Sequence, residues 1–167
     1  MRCTCVRWLL SLASLLLLVA PAPAHALLLG PSPYASAVDS PFFGLGLLLE
    51  DFEDGLLNTP GVSSSGGNVL APGPLTDSVD PGGRSLYAAG LTQLVFPFSG
   101  ALPTRAGVVW TDVGVLIGES PPGTGQGDVV FEAFDENGLS LGQIGPVLLG
   151  DGTAVSAPAE DRFFGAY

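Results

Sequence analysis

Histidine, cysteine and lysine are nearly missing from this sequence. Its 167 residues include one histidine, two cysteines and no lysine, and 16 acidic residues stand against five arginines. Without histidine and cysteine, zinc, haem and iron–sulfur sites lose their usual ligands, and a serine nucleophile loses its usual base. A net charge of −11 also disfavours binding to nucleic acid. These absences exclude most common catalytic and metal chemistries.

The first 26 residues have the pattern of a secretory leader. Arg2 and Arg7 precede an apolar run over residues 8–20, and proline and small residues follow, ending in Ala-His-Ala at Ala26. The run is shorter than the roughly 20 residues that span a bilayer. We therefore expect residues 1–26 to be a signal peptide, cleaved after Ala26, and the mature protein to be secreted or on the cell surface, with no stable membrane insertion.

Cleavage at this position would change the chemistry of the chain. Both cysteines and the histidine precede residue 27, so the mature chain has no disulfide and no thiol or imidazole group. Its only basic side chains would be Arg84, Arg105 and Arg162, opposed by all 16 acidic residues. Stability must then come from core burial, with a bound cation as one further source.

Glycine and proline interrupt the remaining chain at short intervals, with 24 and 15 residues in the whole sequence. Few stretches are long enough for a helix, and short apolar segments between turn residues are typical of a β-sandwich or barrel. We expect residues 27–37 to be an irregular lead-in, because Pro31 and Pro33 discourage regular structure, and residues 38–167 to form one domain. The expected strands are residues 46–52, 84–88, 92–99, 106–112, 128–135, 139–144 and 147–149, with one short strand near Val69.

A hairpin is the most specific local prediction. An apolar strand ending at Phe134 leads to Asn137-Gly138, and residues 139–144 return. Asn-Gly favours the positive φ angles of a type I′ turn. Pairing about that turn predicts Phe134 opposite Leu141 and Phe131 opposite Ile144.

Residues 50–55 form the densest acidic cluster, with the sequence Glu-Asp-Phe-Glu-Asp-Gly. On a strand, alternate residues share a face, so two of these carboxylates would project together. Hard cations such as Ca²⁺ bind about six to eight oxygen ligands. Two interpretations stay open: a solvated strand end, which spacing alone favours, or a structural Ca²⁺ site that joins the first and last strands. The expected ligands of that site are Asp51, Glu53 and Asp161, with Asp54 and Glu160 as further candidates.

Several segments carry a resemblance to known families. Residues 49–55, followed by Pro60-Gly61, resemble the opening strand of carbohydrate-binding jelly-roll modules, many of which hold a structural Ca²⁺ near that point. Residues 107–112, 129–135 and 160–165 resemble small secreted bacterial β-sandwich proteins that often carry a C-terminal PEP-CTERM sorting signal. The resemblance implies an all-β fold, an antiparallel β-sandwich of jelly-roll type preceded by a signal-peptide helix. Further strands and the sorting signal are missing after Ala166-Tyr167, so we expect a truncated C-terminus.

Three functions follow from these observations. The first is a non-catalytic extracellular module that binds glycan or matrix, with extracellular polysaccharide or surface components as partners and Ca²⁺ as a structural ion. The second is a structural surface or envelope protein without a small ligand. The third is a glycan hydrolase or lyase that uses carboxylates such as Glu132 and Asp135, and it ranks last because no acid/base pair stands out.

Overall fold

The computed structural model describes residues 25–71, 78–79, 83–88, 93–111, 127–150 and 161–167. These residues form a short 3-10 helix at Ala37–Asp39 and the strands β1 (Leu28–Pro33), β2 (Asn68–Leu70), β3 (Ser85–Tyr87), β4 (Ala106–Trp110), β5 (Gly127–Phe134), β6 (Ser140–Leu149) and β7 (Arg162–Ala166). Every strand pairing among them is antiparallel. The prediction of an all-β, antiparallel fold is confirmed for this part of the chain. The predicted signal-peptide helix lies outside the described residues.

Strand β7 is the centre of a three-stranded sheet in the order β1–β7–β4. Its Phe163 pairs with Ser32 of β1 and with Val109 of β4. Successive residues of a strand face opposite sides of the sheet, so Phe163 and Phe164 point in opposite directions. Both rings are buried, which places β7 inside the protein rather than at an edge. β7 is not among the strands predicted from the sequence.

Two glycines make room for the ring of Phe163. Gly107 of β4 pairs with Gly165 of β7. A Cβ atom at Gly107 would lie 2.5 Å from Cζ of Phe163, and one at Gly165 would lie 2.8 Å from the same atom. Both distances are shorter than any ordinary van der Waals contact, so the ring lies directly over the glycine pair.

Each face of this sheet is covered by a different layer. On one face, Phe163 packs with Tyr34 and Phe42, which follow β1 in the chain. On the other face, Phe164 packs with Val129 and Leu149 of the β5–β6 hairpin. The hairpin therefore packs against this face of the three-stranded sheet through Phe164, while β2 and β3 pair in a separate two-stranded sheet.

The prediction that residues 27–37 are irregular is wrong. Leu28–Pro33 form β1, and the main-chain N–H and C=O of Leu27 also bond to Tyr167, at 2.7 and 3.1 Å. Among the described strands β1 is at an edge of its sheet. Prolines are tolerated at an edge because no partner there needs their missing N–H. The pairing also shifts between Leu29 and Ser32, which accommodates Pro31.

The strand predicted at residues 46–52 is also wrong. Residues 46–52 have no helix, strand or turn, and Phe52 lies in the left-handed region with φ 60°. That backbone conformation cannot continue a strand. The acidic cluster therefore lies in a loop, and its alternate carboxylates do not share the face of a strand.

The predicted strand at 92–99 is present only as an irregular ladder. Its described residues, from 93 onward, contain one isolated bridge, Phe98 to Val62. The Ser63 N–H donates to the Pro97 carbonyl (3.1 Å), and the Ser65 N–H donates to the Val95 carbonyl (2.8 Å). Because Pro97 has no N–H to return, the ladder does not become a continuous strand.

The remaining described strands follow the predictions closely. Strands β2 near Val69, β3, β4 and β5 occur where they were expected, and β6 joins the two segments predicted at 139–144 and 147–149. In the hairpin, Phe131 pairs with Ile144 as predicted, whereas Phe134 pairs with Ser140 rather than Leu141.

The hairpin turn explains that shift of one residue. The Gly138 N–H donates to the Asp135 carbonyl (3.1 Å), and the Asp135 N–H donates to the Leu139 carbonyl (2.9 Å). Gly138 has φ 76°, whereas Asn137 is not in the left-handed region. This geometry is a three-residue loop with a glycine bulge, so the predicted type I′ turn is wrong.

Candidate functional site

The acidic loop, residues 50–59, is organised around the carboxylate of Glu50. This carboxylate accepts hydrogen bonds from the main-chain N–H groups of Phe52 (3.2 Å), Asn58 (2.8 Å) and Thr59 (2.9 Å). The Thr59 hydroxyl donates a fourth bond at 3.1 Å. The Glu50 side chain thus closes the loop, because it bonds to Phe52 near the start of the loop and to Asn58 and Thr59 at the end of the loop.

These hydrogen bonds set the pKa of Glu50. Burial is the largest single influence and raises the pKa of the carboxyl, but the bonds from Asn58, Thr59 and Phe52 together outweigh it. The pKa of Glu50 is therefore lowered below its ordinary value of 4.5. Hydrogen bonds donated to a carboxylate favour its charged form, so the closed loop and the ionised Glu50 stabilise each other.

The other three carboxylates of the loop also accept main-chain hydrogen bonds. Asp51 accepts from the Glu53 N–H at 3.1 Å, and Asp54 accepts from the Leu56 N–H at 2.9 Å and from the side-chain amide of Asn58. These are local turns in which an Asp side chain takes the place of a main-chain acceptor.

Within the part of the chain that the structure describes, Glu53 is the loop carboxylate with a long-range hydrogen bond. Its Oε1 accepts from the main-chain N–H of Arg84 at 2.8 Å, directly before β3. The acidic loop is therefore attached to the two-stranded β2–β3 sheet through Glu53. This attachment fixes the position from which the acidic loop presents Asp51 and Asp54 to solvent.

The loop leaves acidic oxygen atoms for a ligand. Asp51, Glu53 and Asp54 are exposed. The second carboxylate oxygens of Asp51 and Glu53, Oδ2 and Oε2, accept no hydrogen bond from the described residues. Oxygen atoms of this kind suit a hard cation. Within the described part of the chain, however, no three histidine, cysteine or acidic side chains are grouped closely enough to hold a metal ion.

Asp161 has a different environment from the other predicted ligands. It is 1% exposed and directly precedes β7. Its carbonyl oxygen accepts hydrogen bonds from the Tyr34 N–H (3.1 Å) and from the Arg162 guanidinium (2.8 Å). Asp161 therefore belongs to the interior beside β1, while Asp51, Glu53 and Asp54 lie at the surface. Glu160 lies outside the described residues.

Glu50 and Asp39 organise their loops, and neither is a predicted ligand. Asp39 accepts from the main-chain N–H groups of Ala35 (3.0 Å) and Ser36 (2.9 Å). The spacing Ser36 to Asp39 is a capping-box signal that the sequence does contain. For Glu50 no local signal exists, because two of its partners lie eight and nine residues further along the chain.

Asp135, one of the two hairpin carboxylates considered for hydrolysis, is bonded to the main chain of its own turn. Asp135 accepts from the main-chain N–H groups of Leu139 and Asn137, both at 2.8 Å. The bond from Leu139 is the main cause that lowers the pKa of Asp135. A general acid needs a raised pKa, so Asp135 is instead the acceptor that shapes the turn. Trp110 of β4 packs against the core cluster of Phe164.

Comparison of the chain with protein-family models, with curated proteins and with solved structures gives no match. Among the described residues, no helix combines the length and the apolar character needed to cross a bilayer.

Proposed function

We propose that this protein is a non-catalytic extracytoplasmic module that binds extracellular polysaccharide or surface components and holds a structural Ca²⁺ at the acidic loop. The observation that carries the proposal is the loop itself: it is closed by Glu50, attached to β3 by Glu53, and exposes Asp51, Glu53 and Asp54. Four carboxylates within five residues repel one another, and a divalent cation would relieve that repulsion.

The fold supports a binding module of the sandwich kind. The β5–β6 hairpin and the β1–β7–β4 sheet enclose Phe164 between them, as two facing layers do in a sandwich. In the proposed jelly-roll arrangement these two layers form the core, and the acidic loop lies at the surface. The leader of residues 1–26 would deliver this module outside the cytoplasm.

A thermal melt with and without Ca²⁺ tests the metal site. Binding to the folded state alone stabilises it by about 2.7 kcal/mol at a hundredfold excess of the ion over its dissociation constant. We expect the midpoint of the full-length protein to rise by several degrees in Ca²⁺ and to return in excess EGTA. Asp51→Asn should abolish this shift.

Asp128→Asn is the matched control, because Asp128 is an exposed acid on β5 and is not part of the acidic loop. It removes the same charge and should leave the Ca²⁺ shift unchanged. A midpoint of thermal unfolding that does not change with Ca²⁺ in the unsubstituted protein would reject the metal site. The glycan part of the proposal is tested separately on a polysaccharide array, where uniform absence of binding would reject it.

A structural surface protein without a small ligand is the second candidate. The observation that favours it is that all four loop carboxylates already accept hydrogen bonds from the chain, so the loop closes without a cation. This candidate predicts a cooperative melt that is independent of Ca²⁺. A carboxylate-based hydrolase remains the third candidate, and activity on a polysaccharide panel would establish it.

A further inference from the structure

Next to the acidic loop lies a short apolar segment that is not packed into the core. We name residues 45–49 the leucine segment. Its four leucines have large exposed fractions: Leu45 52%, Leu47 44%, Leu48 72% and Leu49 67%. Single exposed leucines are ordinary on protein surfaces, whereas a contiguous group of them marks an interaction site.

The main chain of the leucine segment is also open. Residues 46–49 have no regular secondary structure, and their N–H and C=O groups make no hydrogen bond within the described residues. Both ends are nevertheless held. The Leu45 N–H donates to the carbonyl of Phe42 (3.1 Å), whose ring is buried, and Glu50 is held by the acidic loop. The segment is therefore an exposed connection between two ordered points, and among the described residues its main-chain donors and acceptors at 46–49 have no partner.

Charge determines which partner suits this segment. The acidic loop begins directly after Leu49, with four carboxylates among residues 50–54, and the whole chain carries a net charge of −11. Like charges facing each other across an interface are costly, and complementary charges favour association. The charge pattern therefore disfavours an anionic surface and a second copy of this acidic chain. It favours a partner that presents apolar side chains beside lysine or arginine.

We propose that the leucine segment is a docking site for a cationic, apolar peptide segment of a partner protein. The partner's apolar side chains would cover the leucines, its cations would face the carboxylates of the acidic loop, and its main chain would pair with the open groups of residues 46–49. Extended peptides are known to pair with the open main chain of a sheet edge, and the open groups at residues 46–49 would be paired in a similar way, although this segment is not a strand. The proposal does not depend on glycan binding, but Ca²⁺ at the acidic loop would compete with the partner's cations for the same carboxylates.

Fluorescence anisotropy with a synthetic peptide tests the docking site. The probe is a labelled peptide in which leucine and lysine alternate, titrated with the full-length protein. We expect saturable binding that weakens as salt is raised, since exposed charge pairs are screened. The double substitution Leu48→Ser, Leu49→Ser should weaken binding by at least about tenfold, because these two side chains offer the most apolar area to bury.

Matched controls distinguish binding at the docking site from nonspecific binding of the peptide. Leu139→Ser with Leu148→Ser removes two leucines of similar exposure, 65% and 61%, from the hairpin and should leave binding unchanged. A serine–lysine peptide tests charge alone, and a leucine–glutamate peptide tests apolar contact alone; both should bind at least about tenfold more weakly. Thermal melts of both double variants should match that of the unsubstituted protein, because all four side chains are exposed.

Outcomes of three kinds would overturn the proposal. The first is equal binding of the serine–lysine peptide, which would show that charge alone attracts the probe. The second is undiminished binding by the Leu48, Leu49 double variant, or no binding by the unsubstituted protein. The third is concentration-dependent self-association in sedimentation that this double variant abolishes, which would make a second copy the occupant.

Discussion

Strand β7 and the acidic loop are both ordered, but they are held by different forces and by residues at different distances along the chain. β7 pairs with β1 at the opposite end of the chain, as in the pairing of Leu28 with Ala166, and its two phenylalanine rings are buried on opposite faces. The acidic loop is exposed and is closed mainly by hydrogen bonds between Glu50 and residues no more than nine positions away.

The two regions differ in how much folding stability is lost when one side chain is substituted. Burial of a large ring contributes several kcal/mol, because it removes a large apolar area from water and fills space on all sides. A charge-assisted hydrogen bond at the surface contributes less, because water competes for both of its partners. Substitutions of the buried rings of β7 should therefore lower the free energy of unfolding clearly more than substitutions in the acidic loop.

Phe164→Ala should cause the largest loss of stability. Its ring is 0% exposed and lies between the three-stranded sheet and the hairpin. We expect the free energy of unfolding to fall by about 3–5 kcal/mol, because the substitution leaves a cavity between two layers. Urea denaturation followed by tryptophan fluorescence measures this loss.

Phe134→Ala is the control for the ring at Phe164. Phe134 is 47% exposed at the end of β5, so its truncation should cost far less, by about 1 kcal/mol or less. Similar losses for the two variants would show that Phe164 is not enclosed as described.

Gly30→Ala should cause the next largest loss of stability, because the added methyl group would collide with β7 and push β1 away from it. Gly30 has φ 101°, and a Cβ atom there would lie 2.2 Å from the carbonyl oxygen of Phe163. Gly100→Ala is the matched control, because Gly100 has φ 81° but no atom within 4 Å of the added carbon. We expect Gly100→Ala to cost about 1–2 kcal/mol from backbone strain alone and Gly30→Ala to cost more. Equal losses in chemical denaturation would contradict the close approach of β1 to β7.

Glu50→Gln should cause the smallest of these three losses. The amide keeps the size of the side chain but weakens the hydrogen bonds from Asn58, Thr59 and Phe52, for which we expect a cost of about 1 kcal/mol. Glu132→Gln, at an exposed position of β5, is the control and should change stability little. A loss as large as that of Phe164→Ala would show that the acidic loop is part of the core.

The pH dependence of stability sharpens this prediction. Because the folded state lowers the pKa of Glu50 below 4.5, the stabilisation is fully present above that pH. It is lost as pH falls from about 4.5 through the lower pKa of the folded state, since the unfolded chain then binds the proton more tightly. Glu50→Gln should show a shallower fall in stability over this acidic range than the unsubstituted protein, when denaturation is repeated at each pH.

The local part of the fold could be predicted from the sequence, but the long-range part could not. Strand β5, most of β6 and the Phe131–Ile144 pairing follow from a short pattern around one glycine-containing turn. Strand β1 was missed because prolines at an edge are tolerated only once the neighbour of that edge is known. The acidic cluster could be found from composition alone, whereas the role of Glu50 depends on Asn58 and Thr59, which form no pattern with it in the sequence.

The sequence by itself determined the all-β class, the acidic charge and the absence of lysine, because these depend on composition and on the short spacing of glycine and proline. Tertiary structure alone decided that β7 lies at the centre of its sheet between β1 and β4. It also decided that Asp161 is buried while Asp51 is exposed. The physical reason is that burial is a property of what packs around a residue, and in this chain the packing partners of β7 come from segments far apart in sequence.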